Sequence, residues 1–150
     1  KFNKANLKKL EKFNLKYFRK KNIWGYSLNQ GMEDDKNFYD TMISLIRVLN
    51  ETNISDIKNL IELEVGKPKY YNFGDIKANY HEFFTIKQLN RISKYLKNDH
   101  KVVCEIGGGF GSLASKIKKR FKNKNIILID LPESLILQTF YLYSLLISIN

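Results

Sequence analysis

The stretch VVCEIGGGFGSLASKI, Val102–Ile117, places a short apolar run directly before four glycines, at positions 107, 108, 109 and 111. The run Val102–Ile106 is rich in β-branched residues and lacks regular polar alternation, which predicts a strand covered on both faces. Leu113, Ile117 and Phe121 follow at intervals of four residues, the spacing of one helix face. The stretch therefore predicts a strand, a tight glycine turn and a helix.

A second strand and helix are predicted to follow. The apolar run Ile126–Ile129 ends in Asp130, and Pro132 suits the first turn of a helix because its missing N–H is not needed there. Strand, helix, strand and helix in this order are the opening of a doubly wound parallel sheet. Two strands are few for a stable open sheet, and the sequence begins with Lys1, so we expect it to be a fragment of a longer protein.

The preceding part of the chain predicts helices. Apolar spacing predicts a helix over residues 2–21, one from Asp34–Asp35 to about Asn50, a shorter one after Ser55, and one over Tyr80–Lys97. Residues 66–79 contain Pro68 and Gly74 and predict a connection. We expect two parts: a helical N-terminal region, 1–99, and the start of a Rossmann-like α/β domain, 100–150.

Composition limits the classes of partner. The formal net charge is +11, but arginine occurs only at positions 19, 47, 91 and 120, so lysine supplies most of the 26 cationic residues. Proteins that read bases and phosphates favour arginine forks, so we expect no nucleic-acid partner. The apolar stretch Leu135–Ile149 is too short to span a bilayer and contains polar residues, which predicts a buried helix and no membrane span.

Two features of the sequence bear on cellular location. The first residues of the sequence lack a continuous apolar run, so we expect no secretory signal, and the single cysteine, Cys104, excludes an internal disulfide. Both observations favour a cytoplasmic protein. Cys104 lies in the apolar run, so we expect a buried core cysteine.

The glycine spacing indicates the kind of ligand. Glu105, Gly107, Gly109 and Gly111 give the pattern E-x-G-x-G-x-G, whereas dinucleotide folds carry G-x-G-x-x-G. That fingerprint fits only from Gly109, through Gly111 and Ala114, three residues past the predicted strand. A carboxylate at position 105 would repel a pyrophosphate but favour an ammonium or sulfonium group. An NAD(P)-binding Rossmann domain is therefore an alternative, disfavoured by Glu105.

Asp130 adds a second indication. A carboxylate at the end of the second strand can accept hydrogen bonds from both hydroxyls of a ribose. A ribose joined to a cationic group without phosphate describes S-adenosylmethionine, so we expect this cofactor.

These residues resemble motif I of class I S-adenosylmethionine-dependent methyltransferases, and Asp130 matches the acid that follows their second strand. The segments EIGGGFGSLA and ILIDLPESLILQTFYL look most like a family of sugar O-methyltransferases from bacterial polysaccharide loci, which pairs E-I-G-G-G-[FY]-G with D-L-P-E and an aromatic-rich helix. The resemblance extends back to Glu64–Pro68 and the helix at Tyr80–Lys97, but not to residues 1–60.

The resemblance implies an O-methyltransferase with a sugar, nucleotide-sugar or glycan acceptor. It implies that the glycines of the motif, Gly107, Gly108, Gly109 and Gly111, surround the methionine and ribose side of the cofactor. It also implies that Glu105 interacts with the amino end of the cofactor through water or loop backbone. Asp130 would hold the ribose, Leu131 would lie against the adenine, and Phe110 would shape the loop.

Catalytic groups are less clearly indicated. His81, among aromatic residues at the start of a predicted helix, is a candidate general base for a sugar hydroxyl, whereas His100 lies in a predicted turn. No histidines or acids have metal-ligand spacing, so we predict no metal site. A second alternative is a non-catalytic basic module that retains the cofactor fold, which steep salt dependence of polyanion binding would favour.

Overall fold

The computed structural model of the chain describes residues 15–19 and 35–148, which form a mixed α/β protein. A 3₁₀ turn at Leu15–Tyr17 precedes the other elements. In chain order these are α1 (Asp35–Leu49), α2 (Ile54–Leu60), β1 (Tyr71–Phe73), β2 (Ile76–Ala78), α3 (Tyr80–Ser93), β3 (Val102–Ile106), α4 (Ser112–Arg120), β4 (Asn125–Ile129) and α5 (Pro132–Ser148).

The predicted strands β3 and β4 form a parallel pair joined by α4. Val102 pairs with Asn125 and Ile106 with Ile129, so both strands end at the same edge. This confirms the predicted strand–helix–strand unit, with β4 beginning one residue earlier than expected. The glycines at 107–111 follow the end of β3, and Asp130 follows the end of the neighbouring strand β4. Doubly wound folds bind ligands at this edge of the sheet.

The prediction that the strand Val102–Ile106 is covered on both faces is wrong. One face of the parallel pair, with Val103 and Ile126, packs against the main core. The side chains of the other face, which we call the outer face, are exposed: Val102, Cys104, Ile106, Ile127 and Ile129. The apolar composition predicted the strand, but it does not show whether other elements pack on both faces of the sheet or on one. The expectation of a buried core cysteine is wrong for the same reason.

The predicted connection at residues 66–79 contains a small antiparallel hairpin. Tyr71 pairs with Ala78 and Phe73 with Ile76, and Gly74 takes a positive φ of 58° in the turn. Strands of three residues are too short to give a clear alternating pattern. The helix predicted over Tyr80–Lys97 ends four residues early, at Ser93, and Tyr95 beyond it is 74% exposed.

Two hydrophobic clusters join the two predicted parts of the chain. The main core combines side chains of α1, α2, the hairpin and α3 with Ile117 of α4. The aromatic core combines Phe18 with Phe110 of the glycine loop and Tyr141 of α5. Residues before and after position 100 therefore share both clusters, so the helical region fixes the elements that carry the candidate site.

The terminal regions match the predictions in part. Within the helix predicted at 2–21, Leu15–Tyr17 is a 3₁₀ turn and residues 18–19 are a turn instead, while 2–14 and 20–21 lie outside the described residues. Helix α5 buries one side, with Leu137 and Tyr141, and exposes the other, so the described part of the predicted buried helix, 135–147, is only half buried. Within residues 15–19 and 35–148, no helix is long and apolar enough to cross a bilayer.

Candidate functional site

The glycine loop, Gly107–Gly111, joins the end of β3 to the start of α4. The N–H of Gly107 donates to the carbonyl oxygen of Ile129 at 2.9 Å, which ties the loop to the end of β4. Gly107 and Gly109 have φ angles of 72° and 62°, a region that side chains disfavour. A Cβ added at either position would meet no atom within 4 Å. The loop backbone therefore borders open space that a ligand can approach closely.

Gly111 begins α4 with a φ of 92°, and its own N–H donates to the carbonyl oxygen of Gly108 at 3.0 Å. A Cβ at Gly111 would lie 3.4 Å from Leu142 of α5. The close neighbour at this position is thus α5. The conformation of Gly111 allows the chain to turn directly from the loop into the helix.

Glu105 lies half buried beneath the loop. A Cβ at Gly108 would lie 2.9 Å from Glu105 Cδ, so the absence of a side chain at 108 leaves room for the carboxylate. The N–H of Ala114 in the first turn of α4 donates to this carboxylate. Oε2 is buried and has no hydrogen-bond partner among the described residues. Burial, with a smaller contribution from the charge of Asp130, raises the pKa of Glu105 to about 7.

Asp130 holds the loop from the end of β4. Its Oδ2 accepts from the Gly109 N–H at 3.2 Å and from Gln138 Nε2 at 2.9 Å, and its Oδ1 accepts from the Leu131 N–H at 2.8 Å. Gln138 also donates to the carbonyl oxygen of Gly109 at 3.0 Å. Since a carboxylate oxygen accepts about two hydrogen bonds, Oδ1 retains capacity for one more donor.

The two apolar residues predicted for the site have different environments. Leu131 is 63% exposed beside Asp130, so its side chain is free to contact a ligand. Phe110 is buried in the aromatic core, with ring centroids 5.4 Å from Phe18 and 4.8 Å from Tyr141. Phe110 therefore anchors the loop to the protein interior, and its role toward a cofactor stays a prediction.

His81 lies on the opposite side of the site, in the first turn of α3. Asn79 caps this helix by accepting the Glu82 N–H at 3.1 Å, which fixes the position of His81. Its ring lies 4.9 Å from the ring of Phe110, and Nε2 is buried with no hydrogen-bond partner in the described part of the chain. Burial, assisted by the charges of Arg19 and Lys116, lowers the pKa of His81 to about 4. His100 is exposed.

A cavity of about 440 Å³ brings several of these residues together. One wall is the glycine loop with Glu105, and the other is α3 with His81. Asp130, Leu131 and Gly111 are not part of its lining and lie at the neighbouring edge. The α3 wall also contributes four residues that were not predicted for the site: Tyr80, Phe84, Thr85 and Gln88. Their spacing of three to five residues, which places them on one face of the helix, was the signal in the sequence that could have indicated a shared surface.

A buried ionic network supports the site from behind. It consists of Arg19, Glu62, Glu82, Lys116, Lys119 and Tyr141. Arg19 contacts Glu82 at 2.6 Å, Lys116 contacts Glu82 at 2.9 Å, and Lys119 contacts Glu62 at 3.0 Å. Tyr141 donates to Glu62 at 2.6 Å, and Ser115 also donates to Glu62. The network connects α4, which follows the glycine loop, to α3 and α5.

Both carboxylates of the network, Glu62 and Glu82, are in contact with its cations. Burial alone would raise the pKa of Glu82, but the charges of Lys116 and Arg19 outweigh it and lower the pKa to about 2. Burial and the neighbouring carboxylates Glu62 and Glu82 raise the pKa of the Tyr141 hydroxyl well above its usual range. No local pattern could have indicated this network, because its members are far apart in sequence.

Comparisons with models of protein families, with curated protein sequences and with solved structures found no match. The described residues contain no group of three or more histidine, cysteine, aspartate or glutamate side chains that could hold a metal ion. The case for a ligand therefore depends on the geometry of the site itself.

The residues present fit S-adenosylmethionine. Glu105 offers a buried carboxylate oxygen without a partner, which suits a cationic group. The open space beside Gly107 and Gly109 suits a ligand that lies against the backbone. Asp130 retains one acceptor position on Oδ1, enough for one ribose hydroxyl without disturbing its bonds to the loop.

Proposed function

We propose that this chain carries the cofactor-binding part of an S-adenosylmethionine-dependent methyltransferase with a Rossmann-like fold, which methylates a sugar hydroxyl in the cytoplasm. The observation that carries the proposal is the carboxylate of Glu105. It lies under an open glycine loop at the end of a parallel strand, and its Oε2 has no partner among the described residues. The sugar acceptor is proposed from the resemblance of the EIGGGFG and DLPE segments.

The charge of Glu105 supports S-adenosylmethionine over NAD(P) as the cofactor. A half-buried carboxylate with its pKa raised to about 7 is stabilised in its charged form by a cationic ligand group and destabilised by an anionic one. A pyrophosphate on this loop would lie beside both Glu105 and Asp130. The geometry therefore favours an ammonium- or sulfonium-bearing nucleoside over NAD(P).

The residues of the cavity have separate tasks in methyl transfer. S-adenosylmethionine, when bound, supplies an electrophilic methyl group on a sulfonium sulfur. The glycine loop and Asp130 position the nucleoside, and the aromatic side chains of α3 exclude water from the cavity. His81 is neutral at pH 7, so in the tautomer protonated on Nδ1 its Nε2 can accept a hydrogen bond from an acceptor hydroxyl.

Calorimetric titration of the chain with S-adenosylhomocysteine tests the proposal, with NADH as the comparison ligand. We expect saturable binding of S-adenosylhomocysteine that Asp130→Ala weakens by about tenfold or more, since a ribose hydrogen bond and a loop contact are lost. Binding of NADH alone, or of neither ligand by a chain shown to be folded, would contradict the proposal.

A matched variant separates the two roles of Asp130. Gln138→Leu removes the bonds from Gln138 to Asp130 and to the loop but leaves the carboxylate in place. If Asp130 contacts the ribose, Asp130→Ala weakens binding much more than Gln138→Leu. Equal losses would mean that Asp130 only positions the loop.

A further inference from the structure

Helix α3 borders a second cavity on its far side. This groove of about 480 Å³ lies between α1 and α3. Four cationic side chains line it, and Glu51 is the single carboxylate in the lining. We call it the cationic groove, defined by Arg47, Lys87, Arg91 and Lys94.

The four cations of the groove have no anionic partner among residues 15–19 and 35–148. The recorded ion pairs of that part of the chain involve Arg19, Lys58, Lys116 and Lys119 instead. Glu51, the carboxylate in the groove, accepts a hydrogen bond from Asn90 at 3.3 Å. Lys87 and Arg91 are four residues apart on α3, where like charges repel and destabilise a helix. The groove thus concentrates positive charge at a cost to the helix.

The groove shares part of its wall with the candidate cofactor cavity. Tyr80, Phe84 and Gln88 line both. The rings of Tyr80 and Phe84 are stacked, with centroids 6.1 Å apart and planes inclined by 23°, and Phe84 is 43% exposed. Moving along α3, the lining therefore changes from His81 through an aromatic pair to the cations. Aromatic faces suit the apolar face of a sugar ring, and cations suit an anion beyond it.

We propose that the cationic groove binds the phosphate of the acceptor, which is a phosphorylated sugar. The sugar ring would lie at the Tyr80–Phe84 pair, between the groove and the cavity that contains Glu105. This proposal depends on the proposed methyltransferase function for its description of the ligand as an acceptor. Phosphate binding at the groove is nevertheless a separate property that can be measured alone.

The lining favours phosphate over a neutral glycan. Arg47 and Arg91, from two different helices, can each donate two parallel hydrogen bonds to phosphate oxygens, and the lysines add charge. A neutral glycan would leave four cations without a counter-charge. A sugar phosphate and a nucleotide sugar share this chemistry, so both are compared in the experiment.

The test is calorimetric titration of the chain at low salt with pyrophosphate, glucose 1-phosphate, UDP-glucose and glucose. We expect pyrophosphate and at least one phosphorylated sugar to bind, and glucose alone to show no binding. The variant Lys87→Gln/Arg91→Gln should weaken pyrophosphate binding at least tenfold, since two of four charges are lost. It should remain folded, because the substitution removes a like-charge pair.

A charge-matched control separates the groove from the general positive charge of the chain. Lys101→Gln/Lys122→Gln removes two exposed cations that do not line the groove. It should leave pyrophosphate affinity within about twofold of the unmodified chain. Equal losses in the two double variants, or no pyrophosphate binding by the unmodified chain, would overturn the proposal.

Titration of the same variants with S-adenosylhomocysteine distinguishes the two proposals. If S-adenosylhomocysteine binds and pyrophosphate does not, the groove proposal fails and the methyltransferase proposal stands. If pyrophosphate binds at the groove and S-adenosylhomocysteine does not bind, phosphate recognition stands and the cofactor assignment fails.

Discussion

Glu82 and Glu105 are both withdrawn from water, yet their surroundings differ. Glu82 is fully buried and accepts from Arg19 at 2.6 Å, Lys116 at 2.9 Å and the N–H of Glu62 at 3.2 Å. Glu105 accepts from one backbone N–H, and its Oε2 has no partner in the described regions. The pKa of Glu82 is accordingly lowered to about 2, and that of Glu105 is raised to about 7.

The comparison separates a carboxylate that serves the fold from one that is available to a ligand. The charge of Glu82 is compensated by the chain itself, so it joins α3 to α4 and to the segment around Arg19. The charge of Glu105 is not compensated, and the carboxylate borders a cavity. Burial alone therefore does not distinguish a carboxylate that is available to a ligand from one that stabilises the fold. The distinction depends on whether cations and N–H groups of the chain already compensate its charge.

The largest expected effect is on stability. Glu82→Gln leaves the buried charges of Arg19 and Lys116 without their main counter-charge, so we expect a loss of roughly 3–5 kcal/mol in the free energy of unfolding. Urea unfolding at pH 7.5 measures it. Glu105→Gln is the matched control and should lose no stability. A loss below about 1 kcal/mol for Glu82→Gln would mean that Glu62 alone compensates both cations.

The second effect is on ligand affinity, which Glu105→Gln should lower although it leaves stability unchanged. Glu105→Gln keeps the size of the side chain but removes the charge that would face a cationic group. We expect its affinity for S-adenosylhomocysteine to fall at least tenfold at pH 8, as measured by calorimetry, while its unfolding midpoint is retained. Unchanged affinity would show that Glu105 acts only as a cap of α4.

The third effect is the pH dependence of that affinity. A cationic ligand favours the deprotonated form of Glu105, whose pKa in the free chain is about 7. Affinity should therefore rise with pH, by about tenfold between pH 6 and pH 8, because the deprotonated fraction rises about tenfold. Glu105→Gln should flatten this dependence in the same titration series. A flat profile for the unmodified chain would contradict an ammonium or sulfonium partner.

The smallest expected effect is on the pH dependence of stability. Since the pKa of Glu105 is raised in the folded chain, its contribution is present below about pH 4.5 and is lost as pH rises towards 7. The lowered pKa of His81 acts oppositely, because stability rises with pH between about 4 and 6.5. The two contributions offset each other in the unmodified chain.

Urea unfolding at several pH values separates these contributions. Glu105→Gln should gain stability relative to the unmodified chain as pH rises from 5 to 8. His81→Gln should remove the opposing slope between pH 4 and 6.5. Parallel stability profiles for Glu105→Gln and the unmodified chain would mean that the Glu105 carboxylate is not desolvated in solution.

Local signals in the sequence were sufficient for the parallel unit. Apolar runs predicted β3 and β4, and glycine spacing predicted the loop, because each depends on neighbouring residues. The partners of Glu105 could not be predicted in the same way. Its cap by Ala114 and its orphaned oxygen depend on how α4 leaves the loop. The joint cavity with His81 depends on how α3 packs, which no local pattern encodes.

The ionic network was missed for a related reason. Glu62 and Glu82 look like ordinary helix and loop acids, and their partners Arg19 and Lys116 are distant in sequence. Gln138 is a polar residue within an apolar stretch, and no local pattern indicates that it ties Asp130 to Gly109. Long-range polar pairing depends on the tertiary structure, so composition and periodicity cannot reveal it.

The outer face of the parallel pair gives the protein a chemical reporter of its own. Cys104 is the one thiol of the chain and is exposed among Val102 and Ile106 on that face. A maleimide should therefore label the folded chain at a single known place without any engineered cysteine. The rate of that labelling measures how accessible the face is. Binding of another protein segment or of a second molecule to this face would slow the alkylation of Cys104.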